Sequence, residues 1–385
     1  MLPNRNIVYN MRPIQMVDLQ QQHEKIQQHL DDAIARVIQS AKYINGPEVA
    51  EFSQNLSQYL DVSHVIPCAN GTDALQIAMM ALNLKPGDEV ILPAFTYVAT
   101  AEVIKLLGLT PILVDVNEDD FLIDITQIEK AITPKTKAIV PVHLFGQCAD
   151  METIMNLAKK HNLFVIEDTA QAIGATYTFF DGTILRAGTI GDIGCTSFFP
   201  SKNLGCLGDG GALFTRNEQL AKRLKMIANH GQSIQYQHDD IGVNSRLDTM
   251  QAAILNVKLQ SLTACEIARN QVAQKYDEAF TNHPNFDIPT RVKNSTHVFH
   301  QYTLKCIGIN RDELRKFLSE KQIPTMVYYP IPLHAQKAYQ SDKYPLGKLP
   351  VTERLCSRVI SLPMSPEVTT DQIEYIIGHI NEFCK

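Results

Sequence analysis

Short apolar segments alternate with helical periodicities along the first two-thirds of the chain, and few folds accept that alternation. Strands are predicted at His64–Cys68, Glu89–Pro93, Pro111–Val116, Ala138–Leu144, Leu163–Asp168, Cys195–Phe199 and Gly211–Thr215. Helices are predicted between several of them, at Asp73–Leu82, Thr100–Leu107 and Met151–His161, the last opening on Asp150 as its cap. This order calls for a mostly parallel sheet covered on both faces. Ligands in such sheets bind beyond the carboxyl ends of the strands.

The flanks read differently. Residues 20–39 place Ile26, Leu30, Ile34 and Val37 on one helical face. A long helix is expected from Ser245 to Leu262, with Leu247, Met250, Ile254 and Val257 in one stripe and Asp248 as a cap. Beyond it come a strand (His300–Cys306), a helix (Arg311–Lys321), a strand (Thr325–Tyr329), a Pro-rich loop and a final helix through Ile373, Ile376, Ile377, Ile380 and Phe383. The segment Tyr177–Asp192 reads as a hairpin turning at Asp181-Gly182. The fold class is therefore α/β, with a large domain over 14–255 and a smaller α+β domain over 256–385. With 385 residues, 45% of them hydrophobic, the chain can fill both cores.

Charge excludes several functions. Against 41 acidic residues stand 35 Lys and Arg, a net charge of −6, which offers no general attraction to nucleic acid or anionic membrane. No apolar run reaches the ~18–20 residues that cross a bilayer, and Met1–Arg5 lacks the apolar core of a signal peptide. A cytoplasmic protein is expected; its eight cysteines show no C-x-x-C pair, and in that compartment they read as reduced core or surface thiols. The twelve histidines show no metal-ligand spacing, and His297 and His300 would face opposite sides of a strand-like stretch. No metal site is expected.

Three signals fall where a ligand would sit. Cys68-Ala69-Asn70-Gly71-Thr72-Asp73 is a small-residue turn entering a helix, whose free amides and the Thr72 hydroxyl suit a phosphate. Glu167 and Asp168 end an apolar strand; one would face the ligand crevice and the other solvent. Lys202 follows the aromatic strand Thr196–Phe199 and precedes the glycine-rich run Gly205–Gly211. A partly desolvated lysine there could attack a carbonyl as the neutral amine. Neither G-x-G-x-x-G after a strand nor G-x-x-x-x-G-K is present, which disfavours a nicotinamide dehydrogenase and a P-loop enzyme. A phosphate turn, a strand-end acid and a lysine are the parts that pyridoxal 5′-phosphate chemistry requires.

From about Ile14 onward the sequence resembles the DegT/DnrJ/StrS sugar-nucleotide aminotransferases of fold-type I. The likeness rests on Val17-Asp18-Leu19, Asn70-Gly71-Thr72-Asp73-Ala74-Leu75, Pro93-Ala94-Phe95-Thr96-Tyr97, Pro141-Val142-His143-Leu144-Phe145-Gly146-Gln147, Glu167-Asp168-Thr169-Ala170-Gln171, Ser197-Phe198-Phe199-Pro200-Ser201-Lys202, Gly208-Asp209-Gly210-Gly211 and Asn244-Ser245-Arg246-Leu247-Asp248. The resemblance implies Lys202 as Schiff-base lysine and proton shuttle, Asp168 as partner of the pyridine nitrogen, and Gln171 beside the ring hydroxyl. It implies Gly71, Thr72 and Ser197 in the phosphate cradle and Tyr97 stacked on the cofactor. Asn244 matches a phosphate ligand donated by a neighbouring subunit, which implies a homodimer with shared active sites. Some members carry histidine in place of the lysine and are dehydratases; the lysine here implies transamination.

The implied reaction is ping-pong, from L-glutamate to a ketone on a nucleotide-linked sugar. Arg246, His230, Tyr328 and Tyr329 are candidates for substrate contact. Within the family, Cys68–Gln76, Gly146–Asp150, Cys195–Lys202 and Ser361–Met364 resemble enzymes that aminate UDP-2-acetamido-2-deoxy-3-oxo-glucuronate for surface polysaccharide such as lipopolysaccharide O-antigen. Amination at C-3 or C-4 of another dTDP- or UDP-linked keto-deoxysugar is the sister reading. A non-catalytic regulator on the same fold is the reading from another class.

Overall fold

The computed structural model describes residues 11–385; the leader Met1–Arg5 lies outside them. In chain order the large sheet is built from β1 (His64–Cys68), β2 (Glu89–Pro93), β3 (Thr110–Val114), β4 (Thr136–Ile139) and β5 (Phe164–Asp168). A hairpin of β6 (Thr176–Thr178) and β7 (Ile184–Arg186) intervenes before β8 (Ile193–Ser197) and β9 (Gly211–Thr215) complete it. The spatial order is β1-β9-β8-β5-β4-β2-β3. Every neighbouring pair is parallel except those of β9, which runs antiparallel to both β1 and β8. A small hairpin, β10 (Gln232–Ile234) with β11 (Gln237–His238), follows. Last comes a three-stranded sheet of β12 (Phe286–Asp287), β13 (Tyr302–Cys306) and β14 (Val359–Leu362).

Strand alternation splits the large core. Val90, Leu92, Ala138, Val140 and Ile166 pack against helices Gly71–Ala81 and Ala99–Leu106 on one face. Their neighbours Ile91, Ile139 and Val165 pack against Ile154 and Ala158 of helix Met151–His161 on the other. Successive side chains point to opposite faces, so a strand covered on both sides is apolar throughout. A second cluster joins helix Leu262–Phe280, β12–β14 and the final helix Thr370–Phe383 through Tyr276, Tyr302, Leu304 and Ile376. Among the described residues no helix is long and apolar enough to cross a membrane.

Several elements depart from the sequence reading. The long helix does not start at Ser245. Residues 243–245 are extended, with Val243 and Ser245 donating to the carbonyls of Ile227 and Ala228. Helix begins only at Thr249, ends at Leu259, and a separate helix runs Leu262–Phe280. Asp248 occupies the cap position, but its side chain makes no capping bond. The strand expected over Ala138–Leu144 is regular only to Ile139; beyond it Val140 still donates to Ile91 and Val142 bridges Asp168, before Leu144–Gly146 turns tightly with positive φ at Phe145 and Gly146. Thr325–Tyr329 is no strand: only Met326 bridges to Ser361, and β14 takes the place beside β13. Pro330 and Pro332, which cannot donate to a ladder, follow at once. Asp181-Gly182 does turn the β6–β7 hairpin, and Asp150 caps its helix by accepting from the Thr153 amide at 3.2 Å.

Candidate active site

The carboxyl ends of β1, β2, β5 and β8 converge on a cavity of about 610 Å³. Lys202, Asp168, Gln171, Gly71, Thr72, Ser197, Tyr97, Tyr328 and Tyr329 all line it. At its floor Cys68, Gly211 and Ser197 stand in one register row across β1, β9 and β8. This row brings the turn before helix Gly71–Ala81 against the end of β8. A Cβ on Gly71 would lie 2.7 Å from the Ser197 Cβ, so only glycine admits the approach. Asn70 caps the helix, its Oδ1 accepting from the Asp73 amide at 2.8 Å. The amides of Gly71 and Thr72 have no intrahelical acceptor, and both residues line the cavity.

Asp168 ends β5 with its carboxylate on the cavity side. Oδ2 accepts from Thr100 Oγ1 at 2.9 Å and Oδ1 from the Ala170 amide at 3.1 Å. Thr169 Oγ1 donates to the Cys195 carbonyl at 2.9 Å, tying this strand end to β8. Gln171 is held from both sides: its Oε1 accepts from the Phe145 amide at 2.8 Å, and its Nε2 donates to the Tyr329 hydroxyl at 3.1 Å. The tight turn at Phe145 is what aims that amide. Burial pushes the Tyr329 hydroxyl well above the usual phenol range.

Lys202 sits in a short loop whose amide bonds the Phe199 carbonyl at 2.8 Å. Burial pushes its amine down to about 8, with Asp168 partly opposing the shift. His300 shares the cavity; burial first, then Lys202 and Arg269, hold its imidazole far below the usual histidine range. Two buried polar atoms in the cavity walls, Thr96 Oγ1 and His300 Nδ1, have no partner among the described residues, and both could bond polar groups of a ligand.

Three candidates stand elsewhere. Asn244 is exposed and bridges Asn229. Arg246 lines a separate groove beside helix Pro47–Leu60. His230 is exposed, its carbonyl bonded to His238 Nδ1 at 2.8 Å. Neither strand-end acid faces solvent: Glu167 is fully buried and accepts from the amides of Gly188, Ile190 and Gly191 and from His143 Nε2. The Ala149 amide donates to His143 Nδ1, so the ring proton lies on Nε2, aimed at Glu167. His297 and His300 lie in a loop rather than a strand; His297 stacks on Phe299 with ring centres 3.8 Å apart. Sequence reasoning missed Thr100, His300 and the buried role of Glu167. The His297/His300 pair was visible but weighed only as a metal motif.

The sequence profile of the DegT/DnrJ/EryC1/StrS aminotransferase family matches residues 24–381. The chain belongs to that family. This aminotransferase is 45% identical over 363 residues to UDP-2-acetamido-2-deoxy-3-oxo-D-glucuronate aminotransferase of Pseudomonas aeruginosa, covering 94% of this chain and 98% of the relative. The S. venezuelae DesV structure superposes with a TM-score of 0.93 at 38% identity, over 97% of this chain and 99% of that one. NtdA from Bacillus subtilis, solved with bound cofactor PMP, superposes with a TM-score of 0.85 at 35% identity, over 92% and 81%. Aminotransferases of this family use pyridoxal 5′-phosphate, and the residues here fit it. The cavity offers a glycine-permitted cradle for a phosphate, a carboxylate with spare acceptor capacity and a lysine whose amine burial pushes down to about 8.

Proposed function

We propose that this aminotransferase carries the amino group of L-glutamate to the 3-keto carbon of a UDP-linked sugar, UDP-2-acetamido-2-deoxy-3-oxo-glucuronate. The observation that carries the reaction is one cavity lined by Lys202, Asp168 and Gln171. The near full-length similarity to the P. aeruginosa enzyme supports this choice of substrate. When bound, pyridoxal 5′-phosphate supplies an aldehyde to receive the amine and a ring that withdraws electrons. Gly71, Thr72 and Ser197 hold the phosphate. Asp168, steadied by Thr100 and Ala170, keeps a proton on the ring nitrogen. Gln171, fixed by Phe145 and Tyr329, faces the ring hydroxyl. Lys202 would hold the aldehyde carbon and would serve as the base and acid at the substrate carbon, a role suited to an amine that burial pushes down to about 8.

Tyr97 covers the cofactor, and Tyr328 and Tyr329 wall the substrate side. Asn244, His230 and Arg246, which lie outside this cavity, serve that of a second subunit in a homodimer. The enzyme works in the cytoplasm and feeds surface polysaccharide, as in an O-antigen. A regulator without turnover would have no use for a half-buried lysine in one cavity with Asp168 and Gln171.

Purified holoenzyme mixed with L-glutamate alone should lose its visible absorbance and yield one 2-oxoglutarate per site. The UDP-linked 3-keto sugar acid should then restore the colour. A band that glutamate leaves unchanged would overturn the donor. Restoration only by a dTDP-linked ketone would overturn the sugar.

A further inference from the structure

A second cavity, of about 310 Å³, lies between the amino-terminal helix Leu19–Ser40, the junction of helices Thr249–Leu259 and Leu262–Phe280, and the loop after Met364. It shares no lining residue with the catalytic cavity, yet Asn203, next to Lys202, reaches into its wall. Lys258 lines it, is 7% exposed, and its Nζ has no hydrogen-bond partner among the described residues. The same is true of Asn203 Oδ1, although Asn203 Nδ2 donates to the Val298 carbonyl at 3.0 Å.

The charge around Lys258 is unbalanced. Glu367 is the one carboxylate lining the cavity, and both its oxygens are in use: Oε1 pairs with Lys25 at 3.4 Å and Oε2 accepts from Ser365 Oγ at 2.6 Å. Glu266 is taken by the Tyr59 hydroxyl at 2.7 Å. Arg269, also buried, binds the carbonyls of Phe299 and Met364. Lys25, Lys258 and Arg269 thus gather about a single acid. Burial pushes the unpartnered Lys258 amine down to about 8; an anion beside it would favour the ammonium, and a cavity opens there.

We propose that this cavity binds a small oxyanion of the hydrogen-phosphate type, with Lys258 as counter-charge and Asn203 Oδ1 accepting from the ligand's hydroxyl. One ligand satisfies both orphaned atoms because it carries charged oxygens and a proton donor. Its occupancy steadies the loop that bears Lys202, through Asn203.

The test uses holoenzyme saturated with pyridoxal 5′-phosphate, so that the catalytic cradle is filled. Inorganic phosphate is titrated against chloride at constant ionic strength while the melting temperature is followed. The wild type should show a saturable rise of about 2 °C or more, and Lys258→Met should lose it. Ser261→Asp, which sets a carboxylate at the cavity wall, should melt higher without phosphate and no longer respond to it; this variant decides the matter if Lys258→Met does not fold. No response in the wild type, or an equal one in Lys258→Met or Ser261→Asp, would overturn the site.

Discussion

On one side of the large sheet the Glu167 carboxylate accepts three backbone amides and one imidazole N–H; on the other, Asp168 accepts one hydroxyl and one amide. The two residues are adjacent on β5 and point to opposite faces because strand side chains alternate. Glu167 has every lone pair answered by its own chain and clamps residues 188–191 to the strand. Asp168 is left with acceptor capacity facing a cavity. A carboxylate completed by the fold is scaffold; one left incomplete is prepared for something the fold does not contain.

Changes on the open side should cost rate and spare stability, and changes on the closed side the reverse. Lys202→Ala should lower turnover at least about 10³-fold with an unchanged circular dichroism spectrum; residual activity near wild type would remove Lys202 from the chemistry. Asp168→Asn should slow both half-reactions on the order of 10²-fold, read by single-turnover absorbance with each substrate. Glu167→Gln turns an amide donor toward donor amides and should cost about 3 kcal/mol in denaturant unfolding. If it slowed turnover more than it lowered stability, the contrast between the two acids would collapse.

Two smaller effects sharpen the comparison. If Lys202 is the Schiff-base lysine as proposed, the neutral fraction of its amine should govern capture of pyridoxal 5′-phosphate by apoenzyme. With its pKa pushed down to about 8, the capture rate should climb about tenfold per pH unit below 8 and level off above it. A rise continuing through pH 10 would mean that the amine is not desolvated. Thr100→Val removes one bond to Asp168 and should slow the glutamate half-reaction about fivefold, the equivalent of ~1 kcal/mol. An unchanged rate would show that Ala170 alone suffices to hold the acid.

The alternation of strands and helices was legible because both faces of the sheet are covered, so β1, β2, β5 and β9 read as unbroken apolar runs. Lys202, Asp168 and Gly71 stood out as local departures from those runs. What stayed hidden depends on partners distant in sequence. Thr100 looks like an ordinary helix residue until β5 brings Asp168 beside it. Glu167 looks like a surface acid until residues 188–191 fold over it. The extended stretch before Thr249 follows from pairing with Ile227 and Ala228, against its own helical pattern. Tyr329 and Gln171 meet only when the segment after helix Arg311–Glu320 returns to the large sheet.

The antiparallel strand β9 has a consequence for how the protein is made. It is the last strand of the large sheet to be synthesised, yet it lies between β1, the first, and β8. Until it inserts, β1 has no neighbour in the sheet, and the Gly71 turn has no reason to lie against Ser197. The two halves of the proposed phosphate cradle therefore leave the ribosome far apart and join only when the last strand closes the row. Tight retention of the cofactor thus reports that the sheet has been threaded correctly, and a chain truncated before Thr215 should not retain it.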